Sequence, residues 1–139
     1  MNRVETWPQA LAALVEERRA TPFVWGKHDC CAFAAEAVRR MTGLDLAVRA
    51  GHYRTAIGAV RAIHRFGADV ESIPPACGFS EVPLALAQRG DVVSVDSGSE
   101  KCAALKVALG VCIGSLAAFA SRDGLVFYPI SECRKAWRI

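Results

Sequence analysis

Histidine is scarce in this chain, with three among 139 residues, so imidazole chemistry can run only through His28, His52 or His64. Charge is sparse too, at 22% of residues, and the net value of +3 falls short of the dense basic stripe that nucleic-acid binding demands. The pairs Arg18-Arg19 and Arg39-Arg40 read as solvated helix faces. Long apolar runs are missing. The longest candidate, Val107 to Ala120, is interrupted by Gly110, Gly114 and Ser115 and is too short to span a bilayer; it suits two buried strands and a turn. Residues 1–10 lack the apolar stretch of a secretion signal, which points to a chain made and folded in the cytoplasm. No CxxC pair occurs among Cys30, Cys31, Cys77, Cys102, Cys112 and Cys133, so the expectation is thiols, mostly buried. A zinc or iron–sulfur site built from Cys77, Cys102, Cys112 and Cys133 finds no support in the spacing, and no cofactor is expected.

What is present is an apolar chain, 53% by composition, of a length that makes residues 1–139 one domain with its own core. So high an apolar fraction with so few charges points to a partner surface. Thr6-Trp7-Pro8-Gln9 predicts a helix start with a capping box, followed by Trp7, Leu11, Leu14 and Val15 at helical spacing. A loop from Thr21 to His28 leads to a second helix opening at Asp29 or Cys30. Its buried face is Phe33, Ala34, Ala37, Val38 and Met41, and Gly43 ends it. A third helix is predicted from Thr55 to Phe66, capped by Thr55 and closed by Gly67.

After the third helix the pattern changes, and from Gly90-Asp91 onward the period shortens. Ile73-Pro74-Pro75 is expected to break regular structure, and Pro83 to Gln88 to form one helical turn. Val92 to Val95, Leu105 to Ile113, Ala117 to Ala120, Leu125 to Tyr128 and Ala136 to Arg138 read as strands. Ser97-Gly98-Ser99 reads as a turn or loop and Arg122-Asp123-Gly124 as a tight hairpin turn. Helices first and an antiparallel meander after define an α+β domain.

Chemistry concentrates in Trp25-Gly26-Lys27-His28-Asp29-Cys30. A cysteine in the first turn of a helix meets unpaired backbone N–H groups and the positive end of the helix dipole, which favour a thiolate and can hold an oxyanion. Asp29 can cap the helix, though its charge offsets part of that effect. Gly26 allows a tight turn or close approach of a ligand. The plainer reading of Cys30 is a small buried hydrophobe, and Cys31 is expected to be one. Trp25 and Tyr53 are either walls of a binding groove or, respectively, core packing and a satisfied surface phenol. Trp137 is expected to close the sheet.

The segment Phe23 to Cys30, followed by Phe33 and Gly43, resembles the nucleophile motif of NlpC-type peptidases, papain-like enzymes that cut cell-wall peptides. Arg89-Gly90-Asp91-Val92-Val93 is similar to their Gly-Asp strand start, and Ala108 to Gly114 to the strand carrying their catalytic histidine. A family of small phage and prophage proteins is more similar still. It shares the Trp-Gly-x-His-Asp-Cys core, a Gly-His-Tyr stretch like Gly51-His52-Tyr53, and an ending like Ala136-Trp137-Arg138.

The resemblance implies a papain-like NlpC-type fold with Cys30 at the nucleophile position. It also implies a protein assembled in the bacterial cytoplasm and then carried in a virion tail, with other tail proteins and peptidoglycan as partners. One departure counts against catalysis: where the peptidases carry the base, this chain has Ala108, which can neither take the thiol proton nor protonate a leaving amine. Of the histidines, His28 and His52 are the candidates to substitute, His28 being more simply a loop-stabilising group and His64 a solvated one. Three functions therefore stand side by side: a structural tail component that has lost its base, an active cell-wall cysteine peptidase or amidase using Cys30, and a non-catalytic module that holds a peptide in the old groove.

Overall fold

The computed structural model describes residues 2–97 and 106–139; Cys102, Leu105 and the predicted turn at Gly98-Ser99 lie outside the described residues. The described elements are five α-helices, α1 (Trp7–Arg18), α2 (Cys30–Thr42), α3 (Ala47–Ala50), α4 (Ala56–Ile63) and α5 (Ile73–Ala76). Six strands accompany them, β1 (Ser80–Val82), β2 (Val92–Asp96), β3 (Val107–Cys112), β4 (Leu116–Ser121), β5 (Gly124–Pro129) and β6 (Lys135–Arg138). The α+β expectation holds, with the five α-helices preceding a six-stranded sheet in the order β1-β6-β2-β3-β4-β5 and antiparallel throughout.

Local chemistry sets the best-defined boundaries. Asp29, in extended conformation, caps α2 by accepting from the Ala32 N–H, and Gly43 ends it at φ +85°, where a side chain would be strained. Thr55 caps α4 through the Gly58 N–H. That helix ends at Ile63, earlier than predicted, and the Arg65 and Phe66 N–H groups close i→i+3 turns on Ala62 and Ile63. Thr6 precedes α1, but at ψ 19° its hydroxyl makes no capping bond, so the predicted capping box is absent. Ile73-Pro74-Pro75 does not break structure: a 3₁₀ turn (Val70–Ser72) runs into α5, whose first turn holds the prolines where a missing N–H removes no helical bond. The predicted turn at Pro83 to Gln88 is a 3₁₀ turn over Leu84–Leu86.

Strands β2 to β5 form the expected meander, and Ser121 pairs with Gly124 across a two-residue turn. β6 then returns to the far side of β2, with Val93 opposite Ala136, and carries β1 on its outer edge. Trp137 is therefore inside the sheet, not at its closing edge, and is buried.

Strand alternation gives the sheet two apolar faces. Val92, Leu109, Val111, Ala118, Ala120 and Trp137 share a core with α1 and α2. Val93, Val95, Ala108, Cys112, Ala117 and Phe119 form a second cluster, covered by Phe23 and Trp25 from the loop before α2 and by Leu84 and Ile130. α2 packs against β3 and β4, which sets its first turn beside the sheet. Among the described residues no helix is long and apolar enough to cross a membrane.

Candidate functional site

The loop before α2 is a miniature hairpin. The backbones of Val24 and His28 exchange hydrogen bonds of 3.1 and 2.8 Å, and Gly26 turns the chain at φ +82°. A Cβ on Gly26 would run into the Tyr53 carbonyl, so this glycine answers both a left-handed conformation and a close approach.

Asp29 is the hub. It is 1% exposed, and its two oxygens accept from the Gly26 N–H (2.8 Å), the Ala32 N–H (2.7 Å) and the Tyr53 hydroxyl (2.6 Å). One carboxylate thus ties together the loop, the N-terminus of α2 and the segment after α3. Burial, reinforced by the neighbouring Asp29 charge and its hydrogen bond, pushes the Tyr53 phenol far above its ordinary value, so Tyr53 stays a neutral donor. Tyr53 is neither a free catalytic phenol nor a surface tyrosine; it is a partner of Asp29.

His28 is also buried, and its role is visible. Nδ1 lies 3.2 Å from an Arg18 guanidinium nitrogen, the ring meets Phe33 edge-on at 6.0 Å, and the Gly124 carbonyl is the nearby backbone group that favours protonation. Nε2 itself makes no hydrogen bond of good geometry to the described residues. Burial, helped by the Arg18 charge, holds the imidazole below its usual value and keeps it neutral near pH 7. Arg18 also donates to the Lys27 carbonyl, so it pins the loop twice.

Cys30 does not face a groove. It is 0% exposed and sits in the second apolar cluster with Val93, Val95 and Ala108. Ala108, at the strand position where the resemblance expects a base, is 1% exposed in that same cluster. The expectation that Cys31 is the core thiol is reversed. Cys31 is half-buried and lines a cleft of about 260 Å³, while its sulfur lies 3.9 Å from that of Cys30. Helical spacing explains the exchange: Cys30 extends the buried stripe of Phe33, Ala34 and Ala37, whereas Cys31, Ala35 and Arg39 form the neighbouring stripe, which faces the cleft.

The cleft runs between α2 and the segment from Asp45 to Phe66. Trp25, Gly26 and Tyr53 line it as well, so these three sequence candidates are brought together, with His52 exposed on the lining. His64 is exposed at the end of α4 and is not part of it. Arg18 and Arg39, read from the sequence as solvated helix faces, and Cys31, read as a core thiol, also line the cleft; of these only Cys31 carried a signal, its place next to the helical stripe. The Gly90-Asp91 segment is a structural clasp: Asp91 is buried and binds Arg138 at 3.0 Å, Arg3 at 3.4 Å and the Gln88 N–H at 2.8 Å. Among the described residues no group of three or more His, Cys, Asp or Glu is placed to hold a metal ion.

Residues 25–30 thus hold a buried thiol in an apolar cluster with an alanine, an aspartate bonded to three donors and a neutral histidine turned toward an arginine. Residues 2–139 match a family described as a domain of unknown function, DUF6950, and the chain belongs to that family. No curated protein matches the chain.

Proposed function

We propose that this protein is a bacteriophage or prophage tail component built on a papain-like NlpC-type fold, working by assembly and not by hydrolysis. The observation that carries the second half of this reading is the shared burial of Cys30 and Ala108 in one apolar cluster. A cysteine hydrolase needs a thiol that substrate can reach and a base that takes its proton and returns it to the leaving group. Cys30 is closed off, His28 lies against Arg18, and His52 and His64 are exposed, with none of the three in the Cys30 cluster. The tail assignment draws on the sequence resemblance alone; the α+β order, with a helix opening at Asp29-Cys30 against the sheet, supports the fold half of the reading.

The test is mass spectrometry of purified tails from the phage or induced prophage that encodes the chain, with deletion of its gene. The reading expects the protein at stoichiometric level in particles, and defective tails on deletion that are rescued equally by wild type and Cys30→Ala. Its absence from particles, with normal tails on deletion, overturns the assignment.

A further inference from the structure

The positive charge of the chain has one source. Of its 17 basic and 14 acidic residues, four arginines and no acid fall between Leu46 and Ala68, which leaves 13 basic and 14 acidic residues elsewhere. The four are Arg49, Arg54, Arg61 and Arg65, and all are exposed. No ion pair among the described residues includes any of them. The acids that flank the segment are bonded elsewhere: Asp45 accepts from the Ala47 N–H and Asp69 from the Ser72 hydroxyl.

The fold gathers these side chains. Arg49 stacks on Phe66, its guanidinium 4.8 Å from the ring centre, and donates to the Ala76 carbonyl. The Arg65 guanidinium lies against Gly51, the residue that ends α3. The end of α3 therefore meets the end of α4, and Arg61 stands one turn before Arg65. Ile57 lies a further turn back, on the side of α4 opposite its buried Ala59, Ala62 and Ile63. Ile57 is 68% exposed and Val48, next to Arg49, is 84% exposed, the two highest values among the exposed large apolar side chains. Like charges four residues apart repel, and apolar groups so exposed stay hydrated, so this face gains from being covered by something acidic and partly apolar.

We propose that the outward face of α3 and α4 is an interaction surface for an acidic protein partner, one whose carboxylates surround an apolar contact. The proposal rests on the assembly reading above, since it supplies the surface through which a non-hydrolytic module holds its neighbour. The planar fork of arginine fits a carboxylate and a phosphate equally well, so the apolar residues decide between partners. A phosphodiester backbone offers nothing to Ile57 and Val48. A bilayer needs a broad apolar face, and α4 has eight residues, of which Ile57 is the one exposed apolar residue. A protein surface answers both features, and arginine is enriched where proteins meet.

Two fluorophore-labelled helical peptides, blocked at both ends and identical except for glutamate or glutamine around a central Leu-Leu pair, test this on the purified full chain by fluorescence anisotropy. The Glu peptide is expected to bind about tenfold more tightly, which corresponds to about 1.4 kcal/mol, and to lose that advantage in high salt. The double variant Arg54→Glu/Arg61→Glu is expected to bind both peptides alike. Arg122→Gln, at an exposed arginine outside the segment, keeps the preference, and Ile57→Ser weakens both peptides. Circular dichroism checks that each variant is folded. Phosphatidylglycerol vesicles and duplex DNA are titrated in parallel. Equal binding of the two peptides by wild type, no binding by wild type, a Glu preference that survives the double variant, or tighter binding of vesicles or DNA through the same two arginines overturns the proposal. A chain present in tails that fails these titrations loses this surface and keeps its assembly role. A chain that passes them but never enters a tail keeps the surface and loses that role.

Discussion

Two sides of one helical turn differ as much as any regions of the molecule. On one side of the α2 N-terminus, Cys30 is enclosed with Val93, Val95 and Ala108, and the cluster is apolar. On the other, Asp29 binds Gly26, Ala32 and Tyr53, and Cys31 opens on a cleft with charged residues on its lining. A papain-like enzyme needs both characters on the same side, an accessible thiol and polar groups able to move protons. Here polarity and access lie on the Cys31 side, and Cys30, the position the sequence resemblance marks for a nucleophile, lies on the other. In residues 29–30 the aspartate organises backbone, and Cys30 fills space.

The largest consequence falls on the polar side. Asp29→Ala removes three hydrogen bonds and strands the Tyr53 hydroxyl and the Gly26 N–H, so a stability loss of about 3–5 kcal/mol is expected in urea unfolding. A loss below about 1 kcal/mol would mean that the hub is dispensable. On the apolar side, Ala108→His forces an imidazole into a filled cluster. It is expected to cost about 1–3 kcal/mol and to restore no hydrolysis. A stable and active Ala108→His would show that Cys30 and position 108 share a usable site after all. Brief alkylation followed by peptide mass mapping separates the two thiols directly. Cys31 is expected to label at least about tenfold faster than Cys30, because Cys30 reacts only when the cluster opens. Equal rates would erase the distinction between the two sides.

The smallest effect concerns pH. The folded His28 value lies below the ordinary 6.5 because burial and Arg18 disfavour its charge. The fold prefers neutral His28. Its contribution is therefore complete above about pH 6.5 and is lost as pH falls from there through the depressed folded value. Stability measured from pH 7.5 to 5 should decline, and His28→Gln, which takes no proton, should flatten that part of the profile. An identical decline in the variant would assign the acid sensitivity elsewhere.

Much of this arrangement was legible beforehand. Asp29, Gly43 and Thr55 mark helix ends by their own side-chain or backbone chemistry, and the Arg122-Asp123 turn is bounded by alternating apolar strands, so local pattern suffices. β1 was not legible, because three residues show no period and its pairing with β6 is set by tertiary contact. Nor was the return of β6 to the flank of β2, since no local feature distinguishes it from a simple continuation of the meander. The helical turn through Pro74-Pro75 was hidden because proline breaks a helix interior and is accepted in its first turn, and the sequence does not announce which applies. The exposure of Cys30 and Cys31 was within reach. Counting back from Phe33 and Ala34 places Cys30 on the buried stripe, but the motif drew attention to what the residue could do and away from where the stripe puts it. Arg18 could not have been assigned to the cleft, as its position depends on how α1 packs against the loop before α2.

The central claim is that Cys30 is a packed residue and not a working nucleophile. It is tested most directly by peptide release from purified peptidoglycan, with wild type and Cys30→Ala compared at equal concentration. General acid–base assistance alone contributes about 10²–10⁴-fold in cysteine and related hydrolases, and members of such a unit fail together. The expected result is that the two proteins match each other and the buffer control. Robust turnover by wild type that disappears in Cys30→Ala would contradict the account and turn attention to His28 and His52 as the base.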